Sequence, residues 1–418
     1  MESNNNIKVK IITIGDELLL GQVINTNASW LGEQLNFNGF KLDSVITIGD
    51  GEEDILNALD SCSDANIVII TGGLGPTADD ITKPTLCKFF DTELVLNDDA
   101  LENINSIFKL RGYQMSERNK LQAYIPKSCT YIPNRFGTAP CMWFEKNNTV
   151  YISMPGVPFE MKYIFKTELI DRLKKHFKPT PYGRRVIMTT GIGESFLADK
   201  IKDWEEALPD FMSLAYLPQY GMVRLRLDAR HENEKLLQEC LDNQIQKLKE
   251  IISDYIFSYD DKPISEVIVN MLKERNLSLS TAESCTGGSI ARMITSVPGC
   301  SYIYKGSVIA YDSKVKEELL NVNHDDIEKY NVVSQEVAEQ MAIGARNLMN
   351  TDFALSTTGI AGPDGGTEKN PVGTVCIALA TPNEVISKRH NFGKDRQNNI
   401  ERASITALEM LRQYLLKN

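Results

Sequence analysis

The sequence predicts an α/β chain in three parts: a doubly wound lobe on a parallel sheet, a small α+β connector, and a second α/β lobe. Three observations predict it. Short, largely apolar runs at residues 9–14, 67–70 and 353–357 each end in a glycine-bearing turn, and the first is followed directly by helical spacing; this alternation of buried strand and helix builds a parallel sheet. At 418 residues, 42 % of them apolar, the chain is too long for one core and can build two or three. Breaks at Lys178-Pro179-Thr180-Pro181-Tyr182-Gly183 and Tyr259-Asp260-Asp261-Lys262-Pro263 divide it into 1–177, 178–258 and 259–418.

In the first lobe, residues 9–14 read as a strand running into Gly15-Asp16-Glu17, and Trp30, Leu31 and Leu35 mark a helix after Asn27. Residues 40–48 read as a second strand and 55–59 as part of a helix. Residues 67–70 read as a buried strand entering Thr71-Gly72-Gly73-Leu74-Gly75-Pro76-Thr77-Ala78-Asp79-Asp80. Doubly wound sheets bind ligands at the carboxyl ends of their strands, where both turns fall. The glycine N–H groups of Gly72, Gly73 and Gly75 suit anionic oxygens, and Asp79 and Asp80 suit a hard divalent cation such as Mg, Mn or Co that bridges to them. A Gly-Pro turn before an acidic first helical turn explains the same residues. Gly/Pro turns recur at Asn134-Arg135-Phe136-Gly137-Thr138-Ala139-Pro140 and around Pro155 and Gly156, and a helix over 159–176 closes the lobe.

The middle segment reads as a strand at 185–190, a helix from Glu194, strands near 212–217 and 222–227, and a charged helix over 232–252. It carries 11 Lys and Arg against 13 Asp and Glu, and no basic G-x-x-G loop. Arg224 and Arg226 alternate on one strand face but make no nucleic-acid stripe, so a structural connector is expected and direct nucleic-acid binding is not.

In the last lobe, Ile264, Val267, Ile268, Met271 and Leu272 follow helical spacing. A short apolar run then gives way to Thr281-Ala282-Glu283-Ser284-Cys285-Thr286-Gly287-Gly288 and the helical pattern of Ile290, Ala291 and Ile294. A hydroxyl on that turn sits beside helix donors, which makes Ser284 a candidate nucleophile; a Gly-Gly turn capped by Thr281 or Ser284 is the ordinary explanation. Residues 302–311 read as a strand, and Tyr311-Asp312-Ser313-Lys314-Val315-Lys316 leads into a helix with Leu319 and Leu320. The four histidines (176, 231, 324 and 390) lie in charged or polar contexts, so a Ser-His-Asp arrangement is not expected. Lysine serves as base where burial lowers its pKa, and Lys316 with Tyr311 is the candidate; Lys314 is a near competitor, and a solvated helix lysine is the ordinary reading of either. Residues 353–357 run into Thr358-Gly359-Ile360-Ala361-Gly362-Pro363-Asp364-Gly365-Gly366, a second anion cradle, and Pro371-Val372-Gly373-Thr374-Val375 opens another strand. Arg396 is placed to reach a phosphate, although both it and Arg402 also read as ordinary helix arginines.

A formal net charge of −11 argues against a surface that gathers phosphate backbones. Eight cysteines show no C-x-x-C pair and read as reduced thiols, which fits the cytoplasm. Met1-Glu2-Ser3-Asn4-Asn5-Asn6 lacks a basic segment followed by an apolar one, and no run reaches the roughly 18 apolar residues of a membrane helix. A soluble, unexported protein with no membrane partner is the expectation.

On these motifs the sequence resembles the CinA (competence/damage-inducible) family. Gly15-Asp16-Glu17-Leu18-Leu19-Leu20-Gly21, Asn25-Thr26-Asn27, the 71–82 loop and the 155–161 segment are similar to its N-terminal domain, which has a molybdopterin-binding-like fold. That domain is associated with metal-dependent hydrolysis of ADP-ribose to AMP and ribose 5-phosphate. The resemblance places Asp16, Glu17, Gly72, Gly73, Gly75, Asp79, Asp80 and Asn134 near that ligand, and a KH-like module at 178–258. The 282–288 turn, 311–316, 358–363 and 371–375 closely resemble the C-terminal domain, a nicotinamide mononucleotide (NMN) deamidase. It implies conversion of NMN to nicotinate mononucleotide and ammonia, in pyridine nucleotide recycling, by Ser284 and Lys316 with Tyr311, without metal or cofactor. Thr286, Gly287 and Gly288 would face the reacting carboxamide, with N–H groups near the two glycines holding the oxyanion. Gly359, Gly362 and Arg396 would take the 5′-phosphate, and a homodimer is implied. Two departures stand out: Cys141 where the family often has glycine, and Tyr311-Asp312-Ser313 for the usual Tyr-Ser-Asn. Two alternatives remain at this level: a first lobe that is the main working part, as ADP-ribose pyrophosphatase or molybdopterin-binding module, or a non-enzymatic partner in competence or recombination.

Overall fold

The computed structural model describes residues 7–77 and 79–418; the polar start at residues 1–6 and Ala78 of the first glycine loop lie outside the described residues. The chain divides into two compact units, Met1–Gly183 with Ala229–Gln238, and Arg184–Asp228 with Glu239–Asn418.

The first unit is built on a six-stranded sheet in the order Lys41–Ile48, Lys8–Ile14, Ile67–Thr71, Thr149–Met154, Cys141–Lys146, Thr130–Ile132. The first four strands are parallel and the last two antiparallel. The antiparallel edge follows from a two-residue hairpin in which Asn147 and Asn148 both adopt positive φ, as a turn matched to strand twist demands. Successive residues of the central strands point to opposite faces, so Ile11, Ile69 and Ile152 join one core while Ile12, Ile70 and Tyr151 join the other. Helix Thr26–Phe37 contributes Leu31 and Leu35 to the first core, and Glu52–Asp60 contributes Ile55 and Leu59 to the second. Each such side chain contributes roughly 1.5–3 kcal/mol by leaving water.

The middle segment forms a four-stranded sheet in the order Met212–Gln219, Met222–Arg230, Tyr182–Thr190, Ile256–Ser258, with helices Glu194–Glu206 and Glu234–Ile252. Arg224 pairs with Asp261 and Arg226 with Asp228, so neither offers a free cation to a phosphate backbone.

The last lobe is a five-stranded sheet in the order Tyr304–Ile309, Leu279–Glu283, Phe353–Gly359, Thr374–Ala380, Val385–Asn391. The first three strands are parallel and the remainder antiparallel. Leu279, Leu355, Ile377 and Leu379 pack under the helices Ile264–Glu274, Ser289–Thr295 and Arg396–Lys417. Ala354, Ala378 and Ala380 face the other way, and their small side chains let helix Gln335–Met349 lie close. The parallel register sets Glu283 beside Ile309 and Thr357, so the carboxyl ends of three strands converge at one edge. Among the described residues, no helix is long and apolar enough to cross a membrane.

Candidate active site

Ser284 follows directly on the Leu279–Glu283 strand, and its N–H donates to the Thr357 carbonyl at 2.9 Å, which fixes the start of the turn. The neighbouring strand ends at Ile309, and two residues beyond Ala310 Asp312 caps helix Ser313–Leu320 by accepting from the Lys314 N–H. Asp312, one of the departures from the family pattern, therefore serves the helix start. One turn into that helix, Lys316 points inward and is only 2 % exposed, whereas Lys314 is exposed. Lys316 Nζ lies 3.2 Å from Ser284 Oγ, 2.6 Å from the Ala310 carbonyl oxygen and 3.3 Å from that of Tyr311.

Burial holds the Lys316 pKa below its ordinary value, partly offset by Cys285 and Asp312. A neutral amine has two N–H donors and one lone pair. The two carbonyls take the donors, and the lone pair is left for the Ser284 hydroxyl proton. The adjacent thiol is no rival: burial pushes Cys285 up to about 12, so it carries no thiolate near neutral pH.

The structure brings together Ser284, Lys316, Tyr311, Gly362 and Arg396, but not in every role the sequence suggested. Arg396 donates to the Gly362 carbonyl at 2.7 Å and to the Tyr311 hydroxyl at 3.3 Å. Tyr311 thus meets Lys316 through its carbonyl, and its hydroxyl accepts from Arg396. Thr286 is turned inward, its hydroxyl donating to Glu283 at 2.7 Å and lying 2.7 Å from Thr357 Oγ1, so its side chain scaffolds the turn. The oxyanion donors expected near Gly287 and Gly288 are also engaged. The Gly287 N–H bonds the Ser284 carbonyl and the Gly288 N–H bonds Glu283, in a left-handed turn that leads into a helix of only seven residues. Gly359 ends its strand packed on the Thr374 backbone. Sequence reasoning missed Glu283, which reads as the polar end of a strand.

In the first unit, Glu17, Gly72, Gly73, Gly75, Asp79 and Asp80 line a cleft of about 410 Å³. Gly72 has to be glycine, because at φ 113° a Cβ would stand 2.2 Å from the Ile14 carbonyl oxygen. Asp80 is turned into its own loop, where its carboxylate accepts from the N–H groups of Gly75 and Thr77 and from the Thr77 hydroxyl. Asp80 is thus engaged by its own loop, and among the described residues no group of three or more His, Cys, Asp or Glu is disposed to hold an ion. Asn134, fully buried, is likewise part of the scaffold, accepting from the Phe136 and Gly137 N–H groups and donating to the Ala139 carbonyl and Glu160. Asp16 exchanges backbone–carboxylate bonds with Asp50, at 3.2 and 3.4 Å. Asp50 and Glu160 line the cleft and were not read from the sequence. Burial raises the Asp50 pKa, reinforced by Asp16, Glu17 and Asp79. Cys141 lies in the core with Ile132 and Trp143 and does not line the cleft, so its departure from glycine falls in the packing of the sheet.

Three family models match the chain. Residues 10–175 match the family model described as "Probable molybdopterin binding domain", 184–258 the "Damage-inducible protein CinA KH domain", and 261–415 the "CinA C-terminal domain". The chain is 44 % identical over 413 residues to a CinA-like protein of Cytophaga hutchinsonii, covering 99 % of both. It is 44 % identical over 417 residues to a CinA-like protein of Flavobacterium psychrophilum, again covering 99 % of each. A solved structure of the competence/damage inducible protein CihA from Agrobacterium tumefaciens is 35 % identical and spans 36 % of this chain and 92 % of its own, with a TM-score of 0.36.

Proposed function

The chain belongs to the CinA family, and from that premise we propose that its last lobe is an amidohydrolase that converts NMN and water to nicotinate mononucleotide and ammonia. The observation that carries this reading is the buried Lys316 amine, its two donors engaged by carbonyls and its remaining side 3.2 Å from Ser284 Oγ. Ser284 Oγ attacks the carboxamide carbon while its proton passes to Lys316. Lys316 returns that proton to the departing nitrogen, which leaves as ammonia, and water then cleaves the acyl-enzyme with the same lysine as base. Arg396, tied to Gly362 and Tyr311, would take the 5′-phosphate. Nothing in this scheme calls on a metal, so ammonia release from NMN should persist in chelator and fall to background in Ser284→Ala. Full turnover by that variant contradicts the reading.

A second reading concerns the first unit, whose glycine-rimmed cleft would take a nucleoside diphosphate such as ADP-ribose as a second substrate, with a divalent cation offsetting the repulsion between its phosphates and the carboxylates of Glu17, Asp50 and Asp79. The test is AMP formation from ADP-ribose with and without divalent metal. A Gly72→Ala variant, whose new methyl would press on the Ile14 carbonyl, should lose that turnover.

A further inference from the structure

Glu283 is completely buried, and its carboxylate is met by four hydrogen-bond donors of its own turn and the following helix. Oε2 accepts from the Thr286 hydroxyl at 2.7 Å, the Gly288 N–H at 3.1 Å and the Ile290 N–H at 3.0 Å, and Oε1 accepts from the Ala291 N–H at 2.8 Å. A buried carboxylate persists when its charge is taken up by such donors. The neighbouring N–H groups are engaged as well: Ser284 bonds Thr357, Gly287 bonds the Ser284 carbonyl, and Ser289 bonds the Thr286 carbonyl. Among the described residues, the N–H groups from Ser284 to Ala291 with no hydrogen-bond acceptor outside their own residue are those of Cys285 and Thr286. They follow the nucleophile directly, and where a nucleophile sits on a strand-to-helix turn the N–H of the next residue is the one that faces the developing oxyanion.

Resting on the Ser284–Lys316 reading, we propose that the N–H groups of Cys285 and Thr286 form the oxyanion hole, and that Glu283 is the positioning residue that keeps them there. As Ser284 Oγ bonds the carboxamide carbon, the carbonyl π pair moves onto oxygen and its charge falls to these two donors. Collapse restores the C=O bond and expels the nitrogen. By taking up the Thr286 hydroxyl and the N–H groups of Gly288, Ile290 and Ala291, while backbone carbonyls take those of Ser284, Gly287 and Ser289, Glu283 fixes the turn and leaves one place for the negative oxygen.

Glu283→Gln tests this, because the amide keeps the shape but sets an NH2 group against N–H donors. NMN turnover is followed beside binding of the matching pyridine-3-carboxaldehyde mononucleotide, which forms a tetrahedral adduct with Ser284. The expected result is a kcat lower by about 100-fold, as for loss of an oxyanion donor, an aldehyde affinity that falls in parallel, and a KM for NMN changed by less than about 3-fold. Thr286→Val, which keeps the backbone N–H and removes one donor to Glu283, should show a smaller loss of the same pattern, and serves if Glu283→Gln does not fold. Wild-type kcat and aldehyde affinity in the variants, or losses of NMN and aldehyde binding in equal proportion, overturn the oxyanion assignment alone. A wild type that releases no ammonia overturns the deamidase reading and the oxyanion hole with it.

Discussion

At the residue scale the proposed chemistry rests on Lys316. Its ammonium form has to give up hydration at a site with 2 % exposure, and the resulting depression of its pKa is what makes an amine available as a base. The rate should therefore rise with pH as Lys316 loses its proton, with an apparent pKa below 10.5 in a pH profile of kcat/KM. Stability carries the same sign. The unfolded chain holds this proton up to the ordinary lysine value while the native chain has released it, so stability climbs as pH rises through that window. Lys316→Met should flatten that part of a denaturation-midpoint curve while lowering turnover by at least about 100-fold. A turnover-deficient variant with an unchanged pH–stability curve would contradict the burial argument. Ser284 was legible in the sequence because two glycines follow an apolar run. Which of Lys314 and Lys316 turns inward was not, since spacing does not report burial, and Glu283 was invisible because its partners are backbone groups of a turn.

At the scale of elements, the helix that carries Lys316 is held from behind. Gly344 of helix Gln335–Met349 lies against the end of helix Ser313–Leu320, where an added Cβ would stand 2.0 Å from the Leu320 carbonyl oxygen. Gly344→Ala should destabilise the protein by about 1–3 kcal/mol, read as a lower urea midpoint, and should slow NMN turnover by shifting Lys316. Unchanged stability and rate would show that the two helices can separate freely. The buried strands and their helices were readable from continuous apolar runs, because strands covered on both faces need no alternation. The antiparallel edges were not. Val385–Asn391 is a half-exposed strand ending in Lys388, Arg389, His390 and Asn391, and Leu94–Leu96 and Tyr124–Pro126 are three residues each, too short to show a period. The paired asparagines at 147 and 148 were the one available signal for the hairpin that turns the first sheet antiparallel.

For the whole molecule, the glycine-rimmed cleft and the Ser284–Lys316 pair belong to separate compact units, each at the carboxyl ends of parallel strands. Their chemistries should separate. Ser284→Ala is expected to abolish ammonia release yet leave any ADP-ribose hydrolysis intact, and loss of both in that variant would show one site serving both substrates. The central claim, that Ser284 and Lys316 act as one unit, is tested most directly by ammonia release from NMN in Ser284→Ala, Lys316→Met and the double variant. If the two residues share one proton transfer, the double variant should be no slower than either single one, because residues acting as a unit are strongly non-additive. Losses that multiply, or a single variant that keeps wild-type turnover, would contradict it.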